Sequence, residues 1–324
     1  MTAQSHRAVR ATVLASSTLV SLLLAELGLR AIGRGPCRPY PALAHVPVMT
    51  APDPELGWVP REGRFTWSPT GRAEDAVTLT LGPDGRTADT TGDRRIDLYG
   101  GSFVLGFAVD DGLELGAQLA DLLPDTRVRD LGVPGYGAVQ SRGLSLRHLV
   151  SEPAPDTLVY GFVDFHEARD VGAASWLHAL DLAGEHHPWH GLPTAALDGD
   201  GVRFLPPRTW HHWGPAESSA LAALGERAVI ALRDRWTADK GEITLRVVLR
   251  WREEALAAGV RRFVVAVLYA PDRHDAVLAR LRAEGVEVAD LHDGGYPASA
   301  VPVDGHPSPE VHAAWAQKLA EALR

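Results

Sequence analysis

From residue 95 onward, short apolar runs alternate with longer stretches of helical period. Ile96, Leu98 and Tyr99 read as a strand entering Gly100-Gly101, and 113–123 as the helix that follows. Val128-Arg129-Asp130-Leu131 reads as a second strand, closed by Gly132-Val133-Pro134-Gly135-Tyr136-Gly137, with a helix over 139–150. Residues 157–163 are apolar and β-branched enough for a sheet interior, and 262–268 repeat that pattern. Helical patterns over 218–236 and 243–258 precede the 262–268 strand, and these helices, carrying Trp236 and Trp251, read as packing elements. A helix over 274–284, a short strand over 286–291 and a helix over 309–323 complete the series. Strands alternating with helices predict an α/β fold, three layers α/β/α around a mainly parallel sheet.

Two stretches depart from this rhythm. Residues 34–94 are rich in Pro, Gly and Thr and lack a sustained helical period, which predicts a linker and a small β-rich preface. Residues 170–215 form an insertion dense in His and Trp, either a lid or substrate wall or a hydrophobic cap over the sheet. The expected division is 1–33, 34–94 and a domain over 95–324 that carries the insertion.

The N-terminus is basic at Arg7 and Arg10, then apolar from Ala11 to Ala25 and on through Leu27, Leu29 and Ile32. That order is the pattern of a signal anchor or a secretory signal. The uninterrupted part is short against the roughly 20 apolar residues of a full span. Glu26 and Arg30 interrupt its end, a position where they could reach the headgroups. The expectation is a single-pass anchor with the main domain outside the cytoplasm, secreted should the segment be cleaved; the alternative is a buried amphipathic helix.

Composition narrows the classes. Hydrophobic residues at 45% and charged residues at 23% are those of a globular protein. A net charge of -9 without a long basic run argues against a nucleic-acid partner. Cys37 is the only cysteine, which excludes an internal disulfide, and one cysteine cannot by itself build a zinc site. Composition does not address oligomeric state.

Candidate chemistry lies at the two ends of the α/β pattern. Ser102 follows a strand, and Asp304-Gly305-His306 precedes the final helix. A serine hydroxyl becomes a nucleophile when an imidazole takes its proton and a carboxylate orients that imidazole. Gly100-Gly101-Ser102-Phe103, Gly132-Val133-Pro134-Gly135-Tyr136-Gly137 and Asp304-Gly305-His306-Pro307 together resemble the blocks of the SGNH (GDSL) hydrolases. Glu55-Leu56-Gly57-Trp58 and the apolar N-terminus are similar to the membrane-anchored bacterial branch of that family. The resemblance implies a flavodoxin-like fold, Ser102 as nucleophile, His306 as general base and acid, and Asp304 as its orienting partner. It also implies an oxyanion hole built from the N–H groups of Ser102 and Gly135, and it implies no cofactor and no metal.

Two positions depart from the family pattern. Gly101 stands where the family has Asp, and Asp164 stands at or near its oxyanion Asn. An ionised carboxylate repels an oxyanion, so Asp164 would need a raised pKa to donate, whereas the neighbouring His166 can donate through a ring N–H. A metal set from His186, His187, His190, His211 and His212 is disfavoured, since neighbouring histidines rarely reach one ion together.

The expected function is a serine esterase acting on a small acyl ester, such as an O-acetyl group on an envelope glycan or glycolipid. Acyl transfer by the same chemistry and a non-catalytic glycan-binding protein are the alternatives.

Overall fold

The computed structural model describes residues 3–38, 48–68, 72–83, 85–86, 92–184, 189–237, 239–271, 273–292 and 305–324. An apolar helix α1 (Ala3–Ala31) comes first. Two antiparallel hairpins follow, β1 (Thr50–Asp53) with β2 (Gly57–Pro60) and β3 (Gly63–Trp67) with β4 (Val77–Leu81). The main sheet then begins with β5 (Arg94–Gly100), the short α2 (Ser102–Leu105), α3 (Leu115–Leu122), β6 (Thr126–Asp130) and α4 (Ala138–Ser151). It continues with β7 (Thr157–Val163), α5 (His166–Asp170), α6 (Ala174–Ala183) and the hairpin β8 (Leu192–Asp198) and β9 (Gly201–Arg208). Last come α7 (Ala220–Trp236), α8 (Lys240–Ala257), β10 (Arg262–Tyr269), α9 (His274–Ala283), β11 (Glu287–Asp290) and α10 (Pro309–Leu323).

Five strands form one parallel sheet in the order β6-β5-β7-β10-β11, the expected α/β class. The chain starts at β5, goes outward to β6, then crosses back to β7. A doubly wound sheet opens a crevice at such a switch point, beyond the carboxyl ends of its strands. Side chains alternate with period two. Tyr99, Leu158, Tyr160 and Phe162 enter the core shared with α4 and α8, while Leu98, Val159, Val264 and Leu268 enter the one shared with α3 and α10. On α10, Val311, Trp315, Leu319 and Leu323 recur every four residues and are all buried. Each such side chain stabilises by about 1.5–3 kcal/mol, so this stripe anchors the loop preceding the helix.

The preface packs against the sheet domain. Arg147 of α4 holds Asp53 through bonds of 2.7 and 2.8 Å, and Gln140 Nε2 donates to Leu56 O at 2.6 Å. Trp67, Leu79 and Leu81 pack on Leu105 and Ala108, just beyond α2. In the insertion, Trp210 is buried, and Trp176 and Trp189 pack against the core from half-buried positions. Helices α7 and α8 both pack, α8 through the fully buried Trp251, while Trp236 at the end of α7 is 73% exposed.

Helix α1 includes a 23-residue apolar stretch, Val9–Ala31, long enough to cross a membrane and unburied by the rest of the chain. The buried-helix alternative therefore fails. Glu26 and Arg30 bond groups of the chain itself. The Glu26 carboxylate accepts from Ala220 N at 2.8 Å, Leu221 N at 2.9 Å and Ser219 Oγ at 3.0 Å, capping α7. Arg30 bonds Glu26 at 2.7 Å and donates to Ser218 O at 2.7 Å. The charges that interrupt the apolar run join α1 to the globular part.

Candidate active site

Ser102 opens α2 at the carboxyl end of β5, and the sheet is notched to receive it. Gly100 and Gly161 are paired across β5 and β7. A Cβ added at either would lie 2.4 or 2.3 Å from Val104 Cγ2, so two glycines let α2 drop onto the strand ends. Ser102 is 6% exposed. Its Oγ makes no hydrogen bond to a described residue.

The glycine-rich segment after β6 lies alongside. Val133 N donates to Gly100 O at 2.9 Å, and Gly132 N to the buried Asp130 carboxyl at 3.0 Å. Gly135 has φ +84, a left-handed conformation that favours glycine. An added Cβ there would stand 2.9 Å from the Trp58 ring and 3.4 Å from the Trp176 ring. Trp58 Nε1 donates to Pro134 O at 2.9 Å, and Tyr136 OH donates back to Trp58 O. The Glu55-Leu56-Gly57-Trp58 motif of the preface thus braces this loop. The N–H groups of Ser102 and Gly135 donate to no described residue.

The third segment is the end of β7. Asp164 is half-buried; its N–H donates to Tyr269 O at 3.0 Å and its carbonyl accepts from Glu167 N at 3.2 Å, turning the chain into α5. That turn carries His166 beneath Gly101. His166 Nδ1 lies 2.8 Å from Tyr160 OH, and Nε2 lies 3.0 Å from where a Gly101 Cβ would be. Burial and the neighbouring Arg169 push the imidazole well below its ordinary pKa, so it is neutral. Burial holds the Tyr160 phenol well above its own ordinary value. Its proton has no other acceptor among the described residues, so Tyr160 donates to Nδ1 and the His166 proton sits on Nε2.

Arg169 completes the floor. Its Nη1 donates to Tyr136 O at 2.8 Å and lies 3.0 Å from the same Gly101 Cβ position. The guanidinium lies over the rings of Phe165 and Trp176 at 4.4 and 4.6 Å, and burial holds its pKa down to about 10. Gly101 therefore has a physical reason: any side chain would meet His166, Arg169 and Tyr136 O.

Asp170, next in the chain, supplies a cap that α4 lacks. Gly137 stands at the N-cap without a side chain, and Asp170 accepts from Val139 N at 2.9 Å and Thr244 Oγ1 at 2.7 Å. Asp170→Ala should lower unfolding stability by about 2–4 kcal/mol, because buried donors lose their acceptor. Urea denaturation monitored by circular dichroism checks this; a midpoint equal to wild type would contradict the capping role.

His306 approaches from the loop before α10. Its half-buried ring packs 5.6 Å from Phe103, the residue after Ser102, and 5.0 Å from Phe107. Asp304 lies outside the described residues. Trp176 belongs to the insertion read from sequence as a lid, substrate wall or cap, whereas Tyr160, Arg169 and Asp170 carry little local signal beyond the polar tip of Tyr160 within the mostly apolar 157–163 run.

No protein-family model and no curated protein matches the chain. Solved structures similar to it include a lipolytic protein of the G-D-S-L family from Desulfitobacterium hafniense, 10% identical, with a TM-score of 0.39 over 71% of this chain and 99% of that one. A G-D-S-L lipolytic protein from Veillonella parvula is 11% identical, with a TM-score of 0.40 over 70% of this chain and 97% of its own. An acetylxylan esterase from Geobacillus stearothermophilus is 11% identical, with a TM-score of 0.38 over 73% of this chain and 96% of its own.

Proposed function

We propose that this protein is a serine esterase that cleaves a small acyl ester through an acyl-enzyme on Ser102. The observation that carries the reading is the meeting at one switch point of a notched serine turn, two N–H groups that donate to no described residue and a neutral imidazole aimed at the same turn. In this reading Ser102 Oγ attacks the ester carbonyl carbon as its proton passes to His306. The carbonyl oxygen becomes an oxyanion held by the N–H groups of Ser102 and Gly135 and by His166 Nε2–H. Collapse breaks the C–O bond, His306 protonates the departing alcohol, and water repeats the sequence to release the acid. Asp304 is assigned the orientation of His306. His166 is assigned the third donor in preference to Asp164, whose ionised carboxylate would repel the oxyanion.

An O-acetyl group on an envelope glycan or glycolipid is the proposed substrate class. Two features support a small acyl group and an external location: the tight walls of Trp58 and Trp176 at Gly135, and the apolar α1. Helix α1 is assigned as a single-pass anchor. Full-length protein should partition with membranes and require detergent, whereas a chain starting at residue 34 should not; recovery of both in the soluble fraction would remove the anchor assignment. A serine-directed fluorophosphonate tests the enzyme itself, with labelling expected on wild-type protein and absent from Ser102→Ala.

A further inference from the structure

The single cysteine and the histidine-rich insertion converge on a place unconnected with Ser102 chemistry. The sequence grouped His186, His187, His190, His211 and His212 as the weak metal candidates. The first two lie outside the described residues, and His190 and His211 are exposed. The structure gathers a different set. His178 stands on α6, His212 follows β9, Glu226 stands on α7, and Cys37 lies just beyond α1.

The ligating atoms of the two histidines and Glu226 face one another. His178 Nε2 lies 3.3 Å from His212 Nδ1 and 3.5 Å from Glu226 Oε2, and His212 Nδ1 lies 2.8 Å from that same oxygen. Cys37 Sγ and one ring nitrogen of each imidazole all lie within 4.8 Å of one another. Tetrahedral zinc, with metal–ligand bonds of roughly 2.0–2.3 Å, separates its ligands by about 3.2–3.6 Å. Glu226 is 1% exposed, and its Oε2 is buried with no hydrogen-bond donor in good geometry. This buried oxygen faces the two imidazole nitrogens without a hydrogen bond of regular geometry to either, a costly arrangement that a cation between them would relieve.

The surroundings orient each ligand. Glu226 Oε1 is held by Trp213 N at 2.9 Å and Trp210 Nε1 at 3.2 Å. His212 Nε2 faces Cys37 O at 3.2 Å, so a cation on Nδ1 would leave the ring proton donating to that carbonyl. Its backbone N–H is held by Asp181 at 2.7 Å. Metal-binding histidines characteristically donate their second ring N–H in this way. The Cys37 segment is docked as well, through Cys37 N to Ala216 O at 2.8 Å and Arg227 Nη2 to Gly35 O at 3.2 Å.

We infer that Cys37, His178, His212 and Glu226 form a closed four-coordinate site for a zinc-class divalent cation. The mixed thiolate, imidazole and carboxylate set suits Zn2+ and not Mg2+ or Ca2+, which take oxygen ligands. Four protein ligands leave no open position, so the role is structural: the ion ties the segment after α1 to α6 and α7. Helix α6 also carries Trp176, the wall of Gly135, so the tie steadies one side of the Ser102 site. The assignment stands independently of the esterase reading.

The test is Co2+ titration of the full-length chain in detergent, stripped with a chelator and dialysed, with folding checked by circular dichroism. The visible bands of tetrahedral Co2+ and a thiolate-to-cobalt charge-transfer band should saturate near about one ion per chain, and Zn2+ should displace them. Cys37→Ser should lose the charge-transfer band and keep visible bands. His212→Ala and Glu226→Gln should each weaken Co2+ binding by more than about 100-fold, beyond the loss typical of an outer-shell partner. The site is overturned by folded wild-type protein that takes up no Co2+. It is equally overturned by a spectrum and affinity that Cys37→Ser leaves unchanged.

Discussion

Replacing Ser102 with alanine should lower kcat for ester hydrolysis by about 10⁴–10⁶-fold while leaving the fold intact. The size follows from losing the atom that forms the covalent intermediate, which neither His306 nor the oxyanion donors can replace. The fold should survive because Ser102 Oγ makes no hydrogen bond to a described residue, and alanine fills nearly the same space in the Gly100–Gly161 notch. Steady-state kinetics with a chromogenic acetyl ester, alongside fluorophosphonate labelling, measures both. Wild-type rates in the variant, or equal labelling of both proteins, would sink the esterase assignment.

His166→Ala should lower kcat by about 10²–10³-fold with little change in KM, the signature of an interaction made mainly in the transition state. The donor is preset: Tyr160 holds Nδ1, and the proton on Nε2 lies beside Gly101. His166→Gln carries an amide N–H and should recover part of the rate, which separates a lost donor from a collapsed pocket. Tyr160→Phe should cost less, since it frees the tautomer without removing the ring. The pH profile discriminates further. Burial and Arg169 keep His166 neutral well below the ordinary imidazole range, so the acid limb of kcat/KM belongs to the base and should keep its position in His166→Ala. An acid limb displaced by that substitution would assign His166 the wrong role.

Much of the fold was legible in local pattern. The strand over 157–163 and the helix over 309–323 have the same limits in the structure, since a mostly apolar run with β-branched residues and a four-residue stripe each report burial directly. The switch point was harder. Alternation predicts a parallel sheet, but only strand order shows that the ends of β5 and β7 flank a crevice. Helix α7 buries Ala223 and Ile230 yet leaves its Trp236 ring exposed, because tertiary contact and not helical period decides whether a partner lies opposite a given side chain.

The sequence by itself determined the order of strands and helices, the serine turn, the glycine-rich block after β6 and an apolar N-terminal segment. These are properties of periodicity and backbone chemistry over a few residues. Only the tertiary structure decided what fills the space beside Gly101, where His166 and Arg169 stand in place of a side chain. It alone turned Glu26 from an interruption of an apolar run into an acceptor for the first N–H groups of α7, beside its N-cap Ser219. It alone brought Cys37 to histidines and a glutamate far along the chain. The physical reason is common to all three. A charge or ligand is satisfied by partners that folding brings near, and residue spacing carries no record of which distant groups those will be.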